Sequence, residues 1–286
     1  MAELEAFAQI PALWYPTIFV LGAVIGSFLN VVILRLPAMM QQTWRSDCEV
    51  FLEIEPAEKV EPLTLSKPAS HCPSCKTPIK PWHNIPIVSW LALRGKCNSC
   101  GTSISARYPL IELATALLSL TVAIQFEFGA ALGLALLATW ALIALTVIDA
   151  DHQLLPDDIT LPLLWLGLIA NAFGIFTDLE SAVWGAVFGY GSLWSVYWAF
   201  KLTTGKEGMG YGDFKLLAAL GAWLGWQALP MIILMSSLVG AIIGIAMMAL
   251  AKLGRGQPMP FGPYLAIAGW LSLVFGDTIQ GLSPYF

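Results

Sequence analysis

Eight apolar runs cover most of this chain and constrain its fold more than any other feature. They are residues 14–34, 108–126, 130–148, 158–177, 181–200, 213–228, 230–251 and 260–277. A transmembrane helix needs about 20 predominantly apolar residues, so six runs are comfortable, whereas 213–228 and 260–277 are short. Only 12% of the residues are charged and the mean hydropathy is +0.72, values typical of a polytopic membrane protein. The sequence therefore predicts an all-α fold of about eight transmembrane helices, or seven or six if short runs are re-entrant.

The basic residues predict the orientation of these helices. Most of the lysines and arginines lie between the first two runs. The later ones flank runs that end on the same side of the membrane if there are eight spans: Lys201, Lys206, Lys215, Lys252 and Arg255. On the opposite side of the membrane, the charged residues of the loops and termini are all acidic. The positive-inside rule makes the basic side cytoplasmic and places both termini outside. The N-terminus lacks the basic region of a cleavable signal peptide, so the first run is expected to remain.

One long hydrophilic segment, residues 36–107, carries two C-x2-C motifs. Its acidic first part, 41–68, is expected to form a short strand or hairpin. The motifs contain four cysteines, which are Cys72, Cys75, Cys97 and Cys100. Their spacing can bring four thiolates into a tetrahedron, which would leave no open position on the metal and predicts a structural Zn²⁺ site resembling a zinc ribbon. Two disulfides are the alternative, which a reducing cytoplasm disfavours. Cys48 is left over as a buried or incidental thiol.

Two aspartates stand at the ends of apolar runs. Asp149 follows the run 130–148, and Asp213 opens the run 213–228. Ionisable residues in membrane segments are costly and are functional candidates by default. Peptide hydrolysis requires a water nucleophile, a base and an acid, and two neighbouring carboxylates that share a proton supply both groups. The sequence predicts an aspartyl hydrolase at the membrane surface, on the condition that the two helices pack together.

Glycines and other acidic residues surround this pair. Gly210 and Gly212, with Gly208 before them, permit backbone angles and close approaches that could admit an extended substrate. A glycine-rich helix start is the alternative. Asp151, Asp157 and Asp158 are rival carboxylates near Asp149. The last two follow a proline and have the pattern of a turn and helix N-terminus. His152 is a candidate for tuning the proton affinity of Asp149.

Three further features concern the first two runs. Gly22 and Gly26 have the spacing of helix-packing glycines. Asn30 is expected to hydrogen-bond across helices. Glu112, in the second run, is expected either to pair with Arg107 or to face the site.

The ordered set of motifs resembles the type IV prepilin peptidases from end to end. The stretches that carry this resemblance are GSFLNVVILRLP, HCPSC, CNSCG, ARYPLIELATA, IDADHQLLPD, GMGYGDFKLLAALGAWLG and MPFGPYLA. GYGD matches the G-x-G-D signature of the wider group of intramembrane aspartyl proteases. The resemblance implies a multi-pass enzyme of the bacterial inner membrane. It would cleave the leader of prepilins and pseudopilins on the cytoplasmic side, typically after a glycine, and would methylate the new N-terminal residue with S-adenosylmethionine.

The resemblance also implies roles for individual residues. Asp149 and Asp213 take the catalytic positions, Gly210 and Gly212 the active-site loop, and the four motif cysteines the metal positions. Gly95 and Lys96 are candidates for methyl transfer, although a structural turn explains them equally well. The implied partners are prepilins, pseudopilins and membrane lipid, with no nucleic acid.

Three segments follow from these features: the N-terminus and first helix (1–35), a cytoplasmic loop domain with the cysteines (36–107), and a transmembrane peptidase core (108–286). Two other functions remain open. A proton-coupled transporter would also use intramembrane carboxylates, but it predicts acidic residues near mid-bilayer and internal repeats. An assembly scaffold would use the cysteine segment for docking and leaves the GYGD motif unexplained.

Overall fold

The structure is a computed structural model that describes residues 2–54, 63–250 and 259–282. The described residues are mainly α-helical and contain isolated β-bridges. Their α-helices are α1 (Ala2–Ala8), α2 (Pro11–Phe51), α3 (Val88–Ala92), α4 (Arg107–Gln125), α5 (Ala130–His152), α6 (Asp157–Ala172), α7 (Leu179–Thr204), α8 (Tyr211–Leu224), α9 (Leu229–Ala249) and α10 (Gly262–Leu282). The prediction of an all-α fold is confirmed.

Each predicted apolar run coincides with one of these helices. By length and composition, four helical segments can cross a membrane: Pro11–Phe51, Arg107–Gln125, Ala130–His152 and Trp226–Ala249. Helices α6 and α8 are shorter, with 16 and 14 residues. Lys252 and Arg255, which contributed to the predicted orientation, lie outside the described residues. The number of crossings and their orientation therefore stay predictions.

Helix α2 is much longer than the apolar run that predicts it. It continues through Pro37 to Phe51, so the strand or hairpin expected from residue 41 onward is wrong for residues 41–51. This stretch contains residues of adequate helix propensity, and Arg45 pairs with Glu49 one turn later at 2.9 Å. A helix satisfies its own backbone hydrogen bonds, whereas a strand needs a partner. Residues 55–62 lie outside the description, and Cys48 is exposed on this helix rather than buried.

The chain forms two compact units, unit 1 (1–124) and unit 2 (125–286). In unit 1, α2 and α4 lie so close that a Cβ on Gly26 would be 2.7 Å from the Cα of Glu112. Asn30 donates a hydrogen bond to the carbonyl of Tyr108 at 3.1 Å. Both the glycine packing and the inter-helix hydrogen bond of Asn30 are confirmed. The division into segments 1–35, 36–107 and 108–286 stays a prediction.

The cysteine segment of unit 1 folds into two similar turns, the first knuckle (71–79) and the second knuckle (96–104). In each knuckle the N–H of the first cysteine donates to the carbonyl of the threonine five residues later, at 3.0 Å and 2.8 Å. Each is also closed by an isolated β-bridge, between His71 and Pro78 or between Lys96 and Ser103. The residue after the second cysteine is left-handed in both, Lys76 with φ 58° and Gly101 with φ 72°. The two motifs are therefore one local structure used twice.

In unit 2, α8 is the central helix. It packs against α6, α7 and α10, and α5 also packs against α6 and α10. Phe214, Leu217 and Ala219 are fully buried, in keeping with a helix that is apolar on all sides. Helices α7 and α8 approach so closely that the Gly185 and Gly221 positions accommodate no side chain.

Asn171 of α6 fixes the C-terminal end of α8. Its side-chain amide donates to the carbonyls of Ala222 and Trp223 at 2.8 Å and 3.0 Å. These carbonyls belong to the last turn of α8, where no intrahelical donor remains. The side-chain oxygen of Asn171 accepts from the N–H groups of Phe176 and Thr177, both at 3.0 Å. The buried amide thus fixes the position of α8 along its own axis, and with it the position of Asp213 at the other end.

Candidate active site and metal centre

Asp149 and Asp213 lie at facing ends of two helices of unit 2. Asp149 belongs to the last turn of α5 and Asp213 to the first turn of α8. Their side chains are 5% and 7% exposed, and their carboxylates are close enough to interact electrostatically. Helices α6 and α10 each pack against both α5 and α8. The sequence predicted that the two aspartate helices would have to pack together; they are instead held mainly through their shared neighbours α6 and α10.

One oxygen of each aspartate is buried without a hydrogen-bond partner among the described residues. These atoms are Oδ2 of Asp149 and Oδ1 of Asp213. A buried polar atom without a partner is costly, so natural proteins keep such atoms mainly where a ligand, a water or a reaction uses them. The pair therefore has free acceptor capacity at one place in the interior of unit 2.

The α10 residue Gly262 forms the wall beside Asp149. A Cβ at this position would lie 2.6 Å from Oδ2 of Asp149 and 3.2 Å from a methyl group of Leu155. A Cβ on Gly212, next to Asp213, would lie 2.8 Å from Cβ of the same leucine. Leu155 is therefore in contact range of both glycines and connects the surroundings of the two aspartates.

Asp213 is held by the start of its own helix. It is the third residue after the N-cap Gly210, and its carboxylate accepts a hydrogen bond from the Gly210 N–H. This is the geometry in which a residue of the first turn reaches back to the N-cap. Gly210 itself is extended, with φ −80° and ψ 150°, an ordinary conformation for any residue. The close approach predicted for the glycines is found at Gly212, where Leu155 packs, and at Gly208, where Phe200 packs.

The loop before Asp213 is tied to α7. Lys201 contacts Glu207 at 2.8 Å and donates to the hydroxyl of Tyr197 at 3.1 Å. The hydrogen bond from Lys201 lowers the pKa of Glu207. The ring of Tyr197 also packs against Tyr211 and Phe214, with centroid distances of 5.3 Å and 5.7 Å. These contacts fix the residues that lead into α8.

The rival carboxylates occupy different surroundings. Asp151, Asp157 and Asp158 are all exposed. Asp157 forms an ion pair with Lys215 of α8 at 2.7 Å. His152 is exposed at the end of α5. Of the acidic residues near the end of α5 and the start of α6, Asp149 is the buried one.

The four motif cysteines come together in unit 1. Their Sγ atoms all lie within 4.8 Å of one another, and those of Cys72 and Cys100 are 3.8 Å apart. A tetrahedral site with Zn–S bonds of about 2.3 Å has sulfur–sulfur edges of about 3.8 Å. The donor set therefore fits Zn²⁺ and would require only small adjustments to bind it.

Hydrogen bonds from two threonines favour the thiolate form of Cys75 and Cys100, which is the form that metals bind. The hydroxyl and N–H groups of Thr77 lower the pKa of Cys75, and those of Thr102 lower the pKa of Cys100. Metal ligation by cysteine requires deprotonation, so a lowered pKa assists binding. His71, the residue before the first motif cysteine, places Nδ1 3.0 Å from the carbonyl of Ala69.

The methyl-transfer candidates lie in the turn before the second knuckle. Gly95 has φ +67°, and a Cβ there would be 2.8 Å from the ring of Trp90. Lys96 lines a cavity of unit 1, and Glu112 lines it as well. Glu112 accepts a hydrogen bond from the Ile87 N–H at 2.7 Å, and the two expectations for it, pairing with Arg107 or facing the aspartates, stay predictions.

Sequence reasoning missed four residues that shape these sites. They are Gly262, Asn171, Lys215 and Trp90. Gly262 belongs to the motif MPFGPYLA, where a glycine between phenylalanine and proline marks a special position. Asn171 and Lys215 carried no local signal, because their partners on other helices are 51 or more residues away in the sequence.

Comparison with known proteins assigns the family. Residues 20–126 match the model of the bacterial peptidase A24 N-terminal domain, and residues 136–245 match that of the type IV leader peptidase family. Relatives with the name prepilin leader peptidase/N-methyltransferase include a Stutzerimonas stutzeri protein, 58% identical over 98% of this chain and 96% of its own length. The Aeromonas hydrophila protein of that name is 55% identical over 96% of both chains. The Pectobacterium carotovorum subsp. carotovorum protein is 49% identical over 99% and 100%. No solved structure matches this chain.

The fold and the buried carboxylate pair define an α-helical membrane protein with a candidate hydrolytic site. The matches are more specific, and the chain belongs to the type IV leader peptidase family. This membership decides against the transporter and scaffold alternatives.

Proposed function

We propose that this chain cleaves the leader peptides of type IV prepilins and pseudopilins and then methylates the newly exposed N-terminal amine. The observation that carries the cleavage reaction is the pair of buried carboxylates, each with one unpartnered oxygen. The relatives are named for both activities, and they match this chain over nearly their whole length. S-adenosylmethionine is the methyl donor that an N-methyltransferase name implies.

Asp149 and Asp213 act as the catalytic pair. One carboxylate, ionised, removes a proton from a water held between the two, and that water attacks the scissile carbonyl carbon. The other, protonated, supports the developing charge on the carbonyl oxygen, and a proton passes to the departing amine. Leu155, Gly212 and Gly262 keep the pair in a confined space, because larger residues at either glycine would collide with their neighbours.

The protein functions in the inner membrane with eight crossings, and the site and the cysteine segment face the cytoplasm. Two observations support this arrangement: each predicted apolar run coincides with a helix, and the basic residues are concentrated on one side. The short helix α8 is compatible with it because other helices of unit 2 enclose α8. Lipid contacts the exposed apolar faces of the outer helices. Zn²⁺ on the four cysteines has a structural role, since it leaves no open coordination position.

The test uses detergent-solubilised protein, a purified prepilin and S-adenosylmethionine, with the product N-terminus read by mass spectrometry. The unmodified protein should give a shortened, monomethylated pilin. Asp149→Asn and Asp213→Asn should each give no cleavage, and the matched control Asp158→Asn, at an exposed carboxylate, should cleave normally. Normal cleavage by either of the first two variants would show that the carboxylate pair is not the catalytic centre.

A further inference from the structure

Unit 1 contains a cavity of about 480 Å³ that the cleavage reaction does not use. Its walls come from α2, both knuckles, α3 with the turn before it, and the start of α4. This volume lies within the range of about 300–1,000 Å³ that is common for small-molecule sites. The lining combines apolar side chains with a few polar and charged groups, which is also usual for such sites.

Glu112 is an acidic residue of this cavity, whose wall also includes the motif cysteines Cys72 and Cys97. Among the residues that the structure describes, it is the only carboxylate that lines the cavity, and its side chain is 8% exposed. Neutral groups hold it in place, namely the Ile87 N–H at 2.7 Å and the hydroxyl of Ser27. The close contact with Gly26 also fixes its backbone. A buried carboxylate held in this way by neutral donors is well suited to bind a cation.

The turn that holds Glu112 is strained. Ile87 has φ 61° and ψ −52°, and the N–H of Val88 bonds to the carbonyl of Pro86 across it. This is the rare form of γ-turn, and a β-branched residue with positive φ is an outlier. Its effect is to direct the Ile87 N–H at the carboxylate of Glu112. Strain of this kind is concentrated at ligand and catalytic sites.

The other cavity walls provide an aromatic ring and basic groups. The indole N–H of Trp90 donates to the carbonyl of Ile104 at 3.1 Å, and Gly95 packs against the same ring. Lys96, His71 and His83 also line the cavity. The site thus offers an anion, a fixed aromatic surface and cationic groups. These are complementary to a ligand that carries a sulfonium, an adenine and an amino-acid carboxylate.

We propose that this cavity binds S-adenosylmethionine, with Glu112 facing the sulfonium of the donor. The inference rests on the proposed methyltransferase activity and assigns its donor site. In the transfer, the lone pair of the pilin amine forms a bond to the methyl carbon as the methyl–sulfur bond breaks. Both electrons of that bond go to sulfur, which becomes a neutral thioether, and the methylated ammonium then releases a proton to water.

The transfer removes the positive charge from sulfur, so a comparison of donor and product binding tests whether Glu112 faces the sulfonium. S-adenosylhomocysteine differs from the donor by one methyl group and the positive charge, so a site with Glu112 at the sulfonium should prefer the donor. We expect the full-length protein in detergent to bind the donor about tenfold more tightly than the thioether product in calorimetry, a typical effect of a charged contact. Glu112→Gln keeps an acceptor for the Ile87 N–H and should bind both ligands equally.

Two further variants complete the experiment. Glu127→Gln changes an exposed glutamate of unit 2 and should retain the preference for the donor. Val31→Phe reduces the cavity volume and should weaken the binding of both ligands by tenfold or more, while leader cleavage and zinc content report on folding. A retained preference in Glu112→Gln, or unchanged binding in Val31→Phe, would overturn the assignment. If the unmodified protein cleaved prepilin but bound and transferred nothing, the proposed methyltransferase activity itself would fail.

Discussion

Lys215 Nζ lies 2.7 Å from both carboxylate oxygens of Asp157, and this ion pair joins the start of α8 to the start of α6. Lys215 is two residues after Asp213, and Asp157 is eight residues after Asp149. The pair is therefore a connection beside the proposed catalytic residues. It also gives Asp157 a role other than catalysis.

Replacement of Asp157 should have little effect. The two side chains are 51% and 31% exposed, and exposed ion pairs contribute about 0–1 kcal/mol. We expect Asp157→Asn to lower the free energy of unfolding by less than about 1 kcal/mol and to retain most leader cleavage. A peptidase assay beside Asp149→Asn measures the difference. Equal inactivation of both variants would contradict the assignment of Asp149 as the catalytic member.

Gly262→Ala should impair cleavage although glycine takes no part in the chemistry. The added Cβ would lie 2.6 Å from Oδ2 of Asp149, so the carboxylate or α10 must move. Misplacement of a catalytic group by about 1 Å can reduce the rate about 100-fold. The rate of prepilin cleavage measures this effect. The matched control is Gly191→Ala on α7, where a Cβ meets nothing within 4 Å and activity should be unchanged.

Asn171→Ala should destabilise unit 2. It removes the donor for two carbonyls of α8 and the acceptor for two N–H groups of the loop after α6. An unsatisfied buried group costs about 1–3 kcal/mol, so the two carbonyls alone imply a loss of about 2–6 kcal/mol and a lower Tm. Thermal unfolding in detergent tests this prediction. Gln125→Ala, at an exposed position, should leave the Tm unaltered.

Gly95→Ala should affect methylation and spare cleavage. A side chain at this position has an unfavourable φ of +67° and would displace Trp90, whose ring lines the cavity. Methylation and donor binding should fall, as measured by mass spectrometry and calorimetry. Gly101→Ala separates the two causes, because Gly101 has φ +72° but open space around it. Equal losses in both variants would identify backbone strain, rather than contact with Trp90, as the cause.

The purified protein should contain about one zinc per chain. Elemental analysis should find that replacement of Cys72 and Cys97 by serine removes the metal, because two ligands of the tetrahedron are lost. Cys48→Ser should keep it, since this exposed thiol belongs to α2 and not to the cluster. Absence of zinc from carefully purified unmodified protein would favour four free thiols.

Much of the fold could be predicted because its signals are local. Apolar runs locate helices without knowledge of their neighbours, and each of the eight runs is a helix in the structure. The C-x2-C spacing likewise predicted that four cysteines would meet. The error at residues 41–51 arose from the absence of such a signal. Polar, mixed composition does not distinguish an exposed helix from a strand, and the continuation of α2 decided it.

The sequence by itself determined the helical class, the four cysteines as a group and the two aspartates as the leading candidates, since each depends on hydropathy or short-range spacing. Only the tertiary structure decided what surrounds them. Helices α6 and α10 bring α5 and α8 together, Gly262 lies against Asp149, and Glu112 lines a cavity. Each of these arrangements depends on contacts between residues far apart in the chain. Such contacts are selected by packing of whole helix surfaces, and no single segment encodes them.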